Sequence, residues 1–319
     1  MTKGFRRWIT GAALVGILLI GAPWLRDPET KILNAPDSTV FPGSYADIET
    51  GHIRYVLEGP DQGEIVMLVG GLTTSLEFFD ETARFLNNAG YRTLRFDIYG
   101  RGGSARPWDA IYDRQMFVNQ IDGLLAALEI DQPIHVVGQS LGGGISVAWA
   151  VAHPETVRSL SIHASAGYVP ELPAFAAILD IPWLGDYAWW WIGNGFVSGN
   201  LGKYFPEPQK HSAEIASLNA QFKSAQQYRG YRRAVLMTIR NFDAHNMQTE
   251  YEQLDAGQIP IQMIWGAQDG VIPVGAADTL IEWMSGTPDL VVLDSIGHMP
   301  LLQAPETTQM LVLEHLRKH

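Results

Sequence analysis

The chain contains no cysteine. Disulfides, thiolate metal sites, a cysteine nucleophile and a lipid-modified cysteine anchor are therefore excluded, while the redox compartment stays open. Positive charge is scarce: 22 Lys plus Arg stand against 34 Asp plus Glu, a formal net charge of −12 over 319 residues. A surface of that sign repels nucleic acid and has no extended basic footprint, so the composition argues against polynucleotide partners. No internal repeat is visible. The length suits one large domain with an insertion or two modest ones, and is ample for a buried core.

Long apolar runs are also rare, with one exception at the N-terminus. Lys3, Arg6 and Arg7 precede "WITGAALVGILLIGAPWL", residues 8–25, an uncharged stretch closed by Arg26 and Asp27. Spanning a bilayer takes roughly 17 to 25 apolar residues, so the run is at the short end of a membrane helix and also has the flanks of a signal peptide. A cleavage point after Ala22 would have Ile20 where a small residue is preferred and Pro23 directly after it. That favours an uncleaved anchor over residues 1–25, with the bulk of the chain on the non-cytoplasmic side by the positive-inside rule. Secretion or periplasmic release after cleavage is the alternative. A helix packed on the domain is the third reading. Residues 26–45 carry Pro28, Pro36 and Pro42 among small polar residues and read as a tether.

From Ala46 the pattern is that of an α/β fold. "YADIETGHIRYVLEG" alternates apolar and polar residues on both sides of Thr50 and Gly51, which predicts an antiparallel hairpin. "EIVMLVGG", "RTLRFDIYG", "PIHVVGQS" and "VRSLSIHAS" are short, nearly continuous apolar runs, the signature of parallel strands covered on both faces. Helical periods over 76–89, 114–128 and 141–152 separate them, as in a mostly parallel, doubly wound sheet. Residues 167–255 lack a convincing buried strand and read as an inserted helical cap. Alternation resumes with "IPIQMIWGAQD", a helix near 276–284, the strand "DLVVLDS" and a helix near 305–318. The core is thus assigned to 46–166 and 256–319.

The densest motif is "HVVGQSLGGG". A phosphate loop would need Lys then Ser or Thr after its last glycine, but Gly144 is followed by Ile145 and Ser146; a dinucleotide fingerprint would need glycine where Ser140 stands. What fits is a serine at a sharp strand-to-helix turn, with Gly138 and Gly142 giving clearance two residues to either side. Gly143 and Gly144 would then let the helix pack close to the sheet. A serine hydroxyl is a weak nucleophile until a base takes its proton and a third group orients that base. His298, in the loop "DSIGHMP" with Pro300 blocking a helix, is the best-placed base; His135, His153, His315 and His319 lie in a strand, at a helix end or at the C-terminal end. Asp269, directly after "IPIQMIWGAQ", is the leading acid, with Asp243 and Asp294 as fallbacks. The chain order is Ser140, Asp269, His298.

With "GQSLG", "WGAQD" and "GHMP" in that order, and with "FDIYGRGGS" placing Asp97, Gly100, Gly102 and Ser104 in register, the chain resembles a capped serine hydrolase of the α/β-hydrolase fold, akin to esterases and monoacylglycerol lipases. "VGGLTTS" resembles the oxyanion loop of that family, with Gly70 where histidine is usual. The resemblance implies backbone donors at Leu72 and Leu141, Gly71 beside the substrate, an acyl-enzyme mechanism for ester hydrolysis, and no metal or organic cofactor. Carbon–carbon bond hydrolysis, perhydrolysis of the cofactor-free haloperoxidase kind and acyl transfer are sister chemistries on the same three residues. A non-catalytic receptor with this fold is the reading of another class.

In the cap, "IPWLGDYAWWWIGNGF" holds Trp183, Trp189, Trp190 and Trp191. Three consecutive residues step by about 100° each on a helix and so spread over roughly 200° of arc, wider than one buried stripe. At least one of the three is therefore expected to line a lipophilic acyl pocket or touch lipid. Packing of the cap on its base, or filling of a subunit contact, is the other reading. The expected partner is a lipid-like ester.

Overall fold

The computed structural model describes residues 27–33, 36–168, 176–199 and 204–319. Strands β1 (Ser44–Ile48) and β2 (Gly51–Glu58) form the predicted hairpin, registered Asp47 opposite His52. β3 (Ile65–Val69), β4 (Arg92–Phe96), β5 (Ile134–Gln139), β6 (Val157–His163), β7 (Ile261–Gly266) and β8 (Asp289–Leu293) complete an eight-stranded sheet in the order β1-β2-β4-β3-β5-β6-β7-β8. β2 meets β4 antiparallel, and every pairing from β4 through β3 to β8 is parallel. Each β3 residue is buried, as strands covered on both faces require.

Helices α1 (Asp80–Asn88), α2 (Arg114–Ala127) and α3 (Leu141–Ala152) return the chain between strands. Alternate strand residues serve two cores. Met67, Val136 and Met263 pack with Phe117, Ile121 and Trp149 of α2 and α3 on one face, while Val66, Leu68, Val137 and Ile264 meet Leu86 of α1 on the other. Burying each such aliphatic side chain contributes about 1.5 to 3 kcal/mol.

Between β6 and β7 lies the helical insertion: α4 (Ala176–Leu179), α5 (Leu184–Gly199), α6 (Ser212–Ala225), α7 (Tyr231–Asn241) and α8 (Gln248–Gln253). After it come α9 (Gly275–Trp283), α10 (Pro300–Gln303) and α11 (Pro305–Lys318), whose Val312 and Leu316 close the second core.

Local details differ from the sequence reading. The helix expected over 76–89 begins as a 3-10 turn, Leu76–Phe79, before α1. Pro300, expected to block a helix, instead opens α10, because a proline at the first helical position gives up an N–H that has no intrahelical partner anyway. Residues 27–33, expected as a tether, dock on the insertion. Lys31 pairs with Tyr228, and both Glu29 carboxylate oxygens accept from the first amides at α7, Gly230 at 3.0 Å and Arg232 at 2.7 Å. Among the described residues no helix is long and apolar enough to cross a membrane. The anchor expected over 1–25 lies outside them.

Candidate active site

Ser140 joins β5 to α3 with φ 57° and ψ −120°, a conformation that strains a residue with a Cβ. Its backbone is held on both sides: the amide donates to the His163 carbonyl at 2.9 Å, and its carbonyl accepts from Gly143 at 3.0 Å and Ala166 at 2.9 Å. The flanking glycines make the turn sterically possible. A Cβ on Gly138 would lie 2.6 Å from the Gly142 carbonyl oxygen, and one on Gly142 would lie 2.1 Å from that of Val69. Gly143 gives close approach to Ser165, just past β6, as the sequence implied; Gly144 instead makes room for Met247 and Phe242 of the insertion.

Asp269 and His298 converge on this serine from the ends of β7 and β8. His298 Nε2 is 2.9 Å from Ser140 Oγ, and Nδ1 is 2.8 Å from Asp269 Oδ2. The other Asp269 oxygen accepts the backbone amides of Val271 at 2.8 Å and Ile272 at 2.9 Å, which fixes the carboxylate plane. Both side chains are buried, His298 at 3% and Asp269 at 7% exposure, so water does not compete for these bonds. The fallback candidates are engaged elsewhere: Asp243 faces Arg114 at 3.7 Å, Asp294 is exposed, and His135 Nδ1 meets Ser159 Oγ at 2.8 Å.

The loop carrying His298 is clamped from three directions. Its amide donates to the Tyr204 carbonyl at 3.0 Å, its carbonyl accepts Gln139 Nε2 at 2.7 Å, and Gln303 bridges from Gly297 N at 2.7 Å to the Tyr204 carbonyl at 2.6 Å. The Tyr204 ring lies over the imidazole, centroids 5.5 Å apart; burial and then the Asp269 charge push its hydroxyl up to about 12. These three residues escaped the sequence reading. Gln139 stands beside the serine in its motif, but nothing local marks Tyr204 or Gln303, which act on the histidine from other elements.

The loop after β3 runs alongside the elbow: a Cβ on Gly71 would lie 3.5 Å from Ser140 Cβ and 3.6 Å from the Gln139 carbonyl oxygen. Leu141 is the first residue of α3, so its amide belongs to the unpaired N-terminal set that favours negative charge. Leu72 is half-buried and packs against an apolar cluster of the insertion that includes Leu179, Trp189, Tyr231 and Val235. Asp97 anchors the far end of this loop, accepting from Leu76 N and Gly103 N at 2.8 Å each, and pairs with Arg54 at 3.0 Å. Burial pushes its carboxyl up, against the pull of Arg54. The "FDIYGRGGS" turn is structural in this sense.

The tryptophans separate as their helical spacing requires. Trp189 is buried at 2% exposure in the insertion cluster, with its indole N–H on the Arg232 carbonyl at 2.9 Å. Trp190 is half-buried and its indole N–H reaches Asp27 at 3.3 Å. Trp191, at 41% exposure, and Trp183, at 88%, face outward with Ile178, Ile181, Leu184 and Ile192.

A strained serine hydrogen-bonded to an imidazole, itself held by a fixed carboxylate, is an arrangement suited to nucleophilic attack. The family model of the alpha/beta hydrolase fold matches residues 64–305. The chain belongs to the α/β-hydrolase family. It is similar to Lipase 1 of Psychrobacter immobilis, 26% identical over 262 residues that cover 80% of this chain and 77% of that protein. The monoacylglycerol lipase ABHD6 of Mus musculus is 24% identical over 298 residues, 85% and 81% of the two chains. Among solved structures, the 2-hydroxy-6-oxo-6-phenylhexa-2,4-dienoate hydrolase of Rhodococcus sp. strain RHA1 superposes with a TM-score of 0.73 at 19% identity, covering 87% of this chain and 99% of that one. This α/β-hydrolase is an enzyme.

Proposed function

We propose that this enzyme hydrolyses lipophilic carboxylic esters through an acyl-enzyme on Ser140. The observation that carries the reading is the unbroken chain from Ser140 Oγ to His298 at 2.9 Å and on to Asp269 at 2.8 Å. His298 takes the serine proton as Oγ adds to the ester carbonyl, and Asp269 orients the imidazole and stabilises its charged form. The tetrahedral oxyanion is received by the amides of Leu72 and Leu141, each worth about 2.7 to 4 kcal/mol in an oxyanion hole. Collapse of the adduct expels the alcohol, which takes its proton from His298. Water, deprotonated by His298, then adds to the acyl carbonyl, and collapse returns the proton to Ser140 and releases the acid.

The lipophilic part of the proposal is supported by the similarity to the two lipases named above and by the outward-facing apolar side chains of α4, α5 and the turn between them. An anchor over residues 1–25 would bring these side chains to a bilayer, because Asp27 is tied to Trp190 on α5. A fluorophosphonate probe tests the chemistry: it labels the wild type and not Ser140→Ala. Equal labelling of both would overturn the assignment, and an unlabelled wild type would favour a receptor. Hydrolysis of p-nitrophenyl esters of rising chain length, with β-diketones and thioesters as competitors, tests the substrate. Activity confined to acetate would sink the lipophilic reading, and turnover of β-diketones alone would replace ester hydrolysis by carbon–carbon cleavage.

A further inference from the structure

Arg101 is fully buried, at 0% exposure, and makes no ion pair with a carboxylate among the described residues. Its guanidinium instead bonds three neutral oxygens: Nε donates to the Leu72 carbonyl at 2.8 Å, one terminal nitrogen to the Tyr99 carbonyl at 2.8 Å, and the other to Thr238 Oγ1 at 3.0 Å. Burial lowers its pKa to about 10, and it stays charged at neutral pH. A buried cation without an anion is costly and is seldom kept for stability alone.

The three acceptors explain the position. Tyr99 belongs to the turn after β4, Thr238 to α7 of the insertion, and Leu72 to the loop beside Ser140. Among the described residues the Leu72 loop has few other anchors close to the serine: the Thr74 hydroxyl reaches the Gly71 carbonyl only at 3.4 Å, and Tyr231 Oη reaches the Thr73 carbonyl at 3.5 Å. Gly70 offers no side chain to hold it. A planar guanidinium fixed at two other points is a rigid post for such a loop, which a lysine, as a flexible point charge, would not be.

We propose that Arg101 is the positioning residue of the oxyanion loop, clamping the Leu72 carbonyl so that the Leu72 amide is held toward the developing oxyanion of Ser140 chemistry. This rests on the acyl-enzyme reading above. Its effect falls on the transition state and not on substrate binding, because the amide gains its strong partner only when the carbonyl oxygen becomes charged.

The test compares the full-length wild type with Arg101→Met and Arg101→Lys, using kcat and KM on one p-nitrophenyl ester, the second-order rate of fluorophosphonate labelling, and Tm. In Arg101→Met, kcat and the labelling rate are expected to fall together by about 100-fold, the scale of losing one oxyanion donor, with KM nearly unchanged. Arg101→Lys restores charge without the fork and is expected to recover only part of the loss. A folded Arg101→Met with wild-type kcat, or one in which KM alone rises, overturns the proposal. Should Arg101→Met fail to fold, Thr238→Val keeps the guanidinium and removes one of its fixed points. A drop in kcat at unchanged KM and Tm supports the clamp, and unchanged kcat overturns it. An unlabelled wild type would instead refute the acyl-enzyme reading, so the two failures are distinguishable.

Discussion

Asp269→Asn separates the role of the carboxylate from mere occupancy of its site. The two backbone amides of Val271 and Ile272, at 2.8 and 2.9 Å, both donate to Asp269 Oδ1. In the variant that position must hold the amide oxygen, because an NH2 there would face two donors. The NH2 is then forced to the Oδ2 position, where it donates to His298 Nδ1. The imidazole must carry its proton on Nε2, aimed at Ser140 Oγ 2.9 Å away, and can no longer accept the serine proton. Burial of both residues leaves no water to relieve the mismatch. Geometry is kept and the tautomer is wrong, for which the expected fall in kcat is about 10⁴-fold, or about 5 kcal/mol of transition-state stabilisation. Steady-state hydrolysis of a p-nitrophenyl ester, with folding checked by circular dichroism, measures it. A folded Asp269→Asn enzyme within tenfold of the wild type would refute both the locked amide and the base role of His298.

Three further outcomes follow from the same geometry. Ser140→Gly relieves a serine at φ 57° and ψ −120°, so it is expected to abolish activity while raising stability by about 1 kcal/mol in urea unfolding; a lower midpoint would contradict the strain. Gly142→Ala would drive a Cβ to 2.1 Å from the Val69 carbonyl oxygen and 2.5 Å from that of Gly70, both backbone atoms; a loss of about 3 kcal/mol is expected, and an unchanged Tm would contradict the close packing. His135, His163 and His315 are held neutral by burial, their pKa values lowered to about 4, 3 and 4. Between those values and the ordinary value of 6.5 the unfolded chain binds protons the native one does not, so their contribution is complete above about pH 6.5 and is lost as pH falls toward 4. Each is expected to cost about 1 kcal/mol per pH unit inside that window, and a urea midpoint constant from pH 7 to 5 would contradict their burial.

The parts legible in the sequence were those written in neighbouring residues. Apolar runs with period two or none marked the hairpin and the parallel strands, and 305–318 matched α11 to the residue. The glycines around Ser140 were legible as a five-residue motif, although only Gly138 answers to the approach of β5 and α3, while Gly142 makes room for the Val69 and Gly70 carbonyls at the end of β3. Asp269 and His298 were named by position, each following a readable strand, and the structure brings both side chains to Ser140. The Trp189, Trp190 and Trp191 run was legible as a spread of burial, although not as to which ring went where.

What only the tertiary structure decided were contacts between residues far apart in the chain. Tyr204 and Gln303 hold the histidine loop, Arg101 reaches Leu72 and Thr238, and Glu29 caps α7 in a segment that by composition reads as a tether. No local periodicity encodes such pairs, because each depends on where the sheet order and the insertion bring separate loops. Sequence spacing therefore determined which residues could do the chemistry, and long-range packing decided how firmly each is aimed.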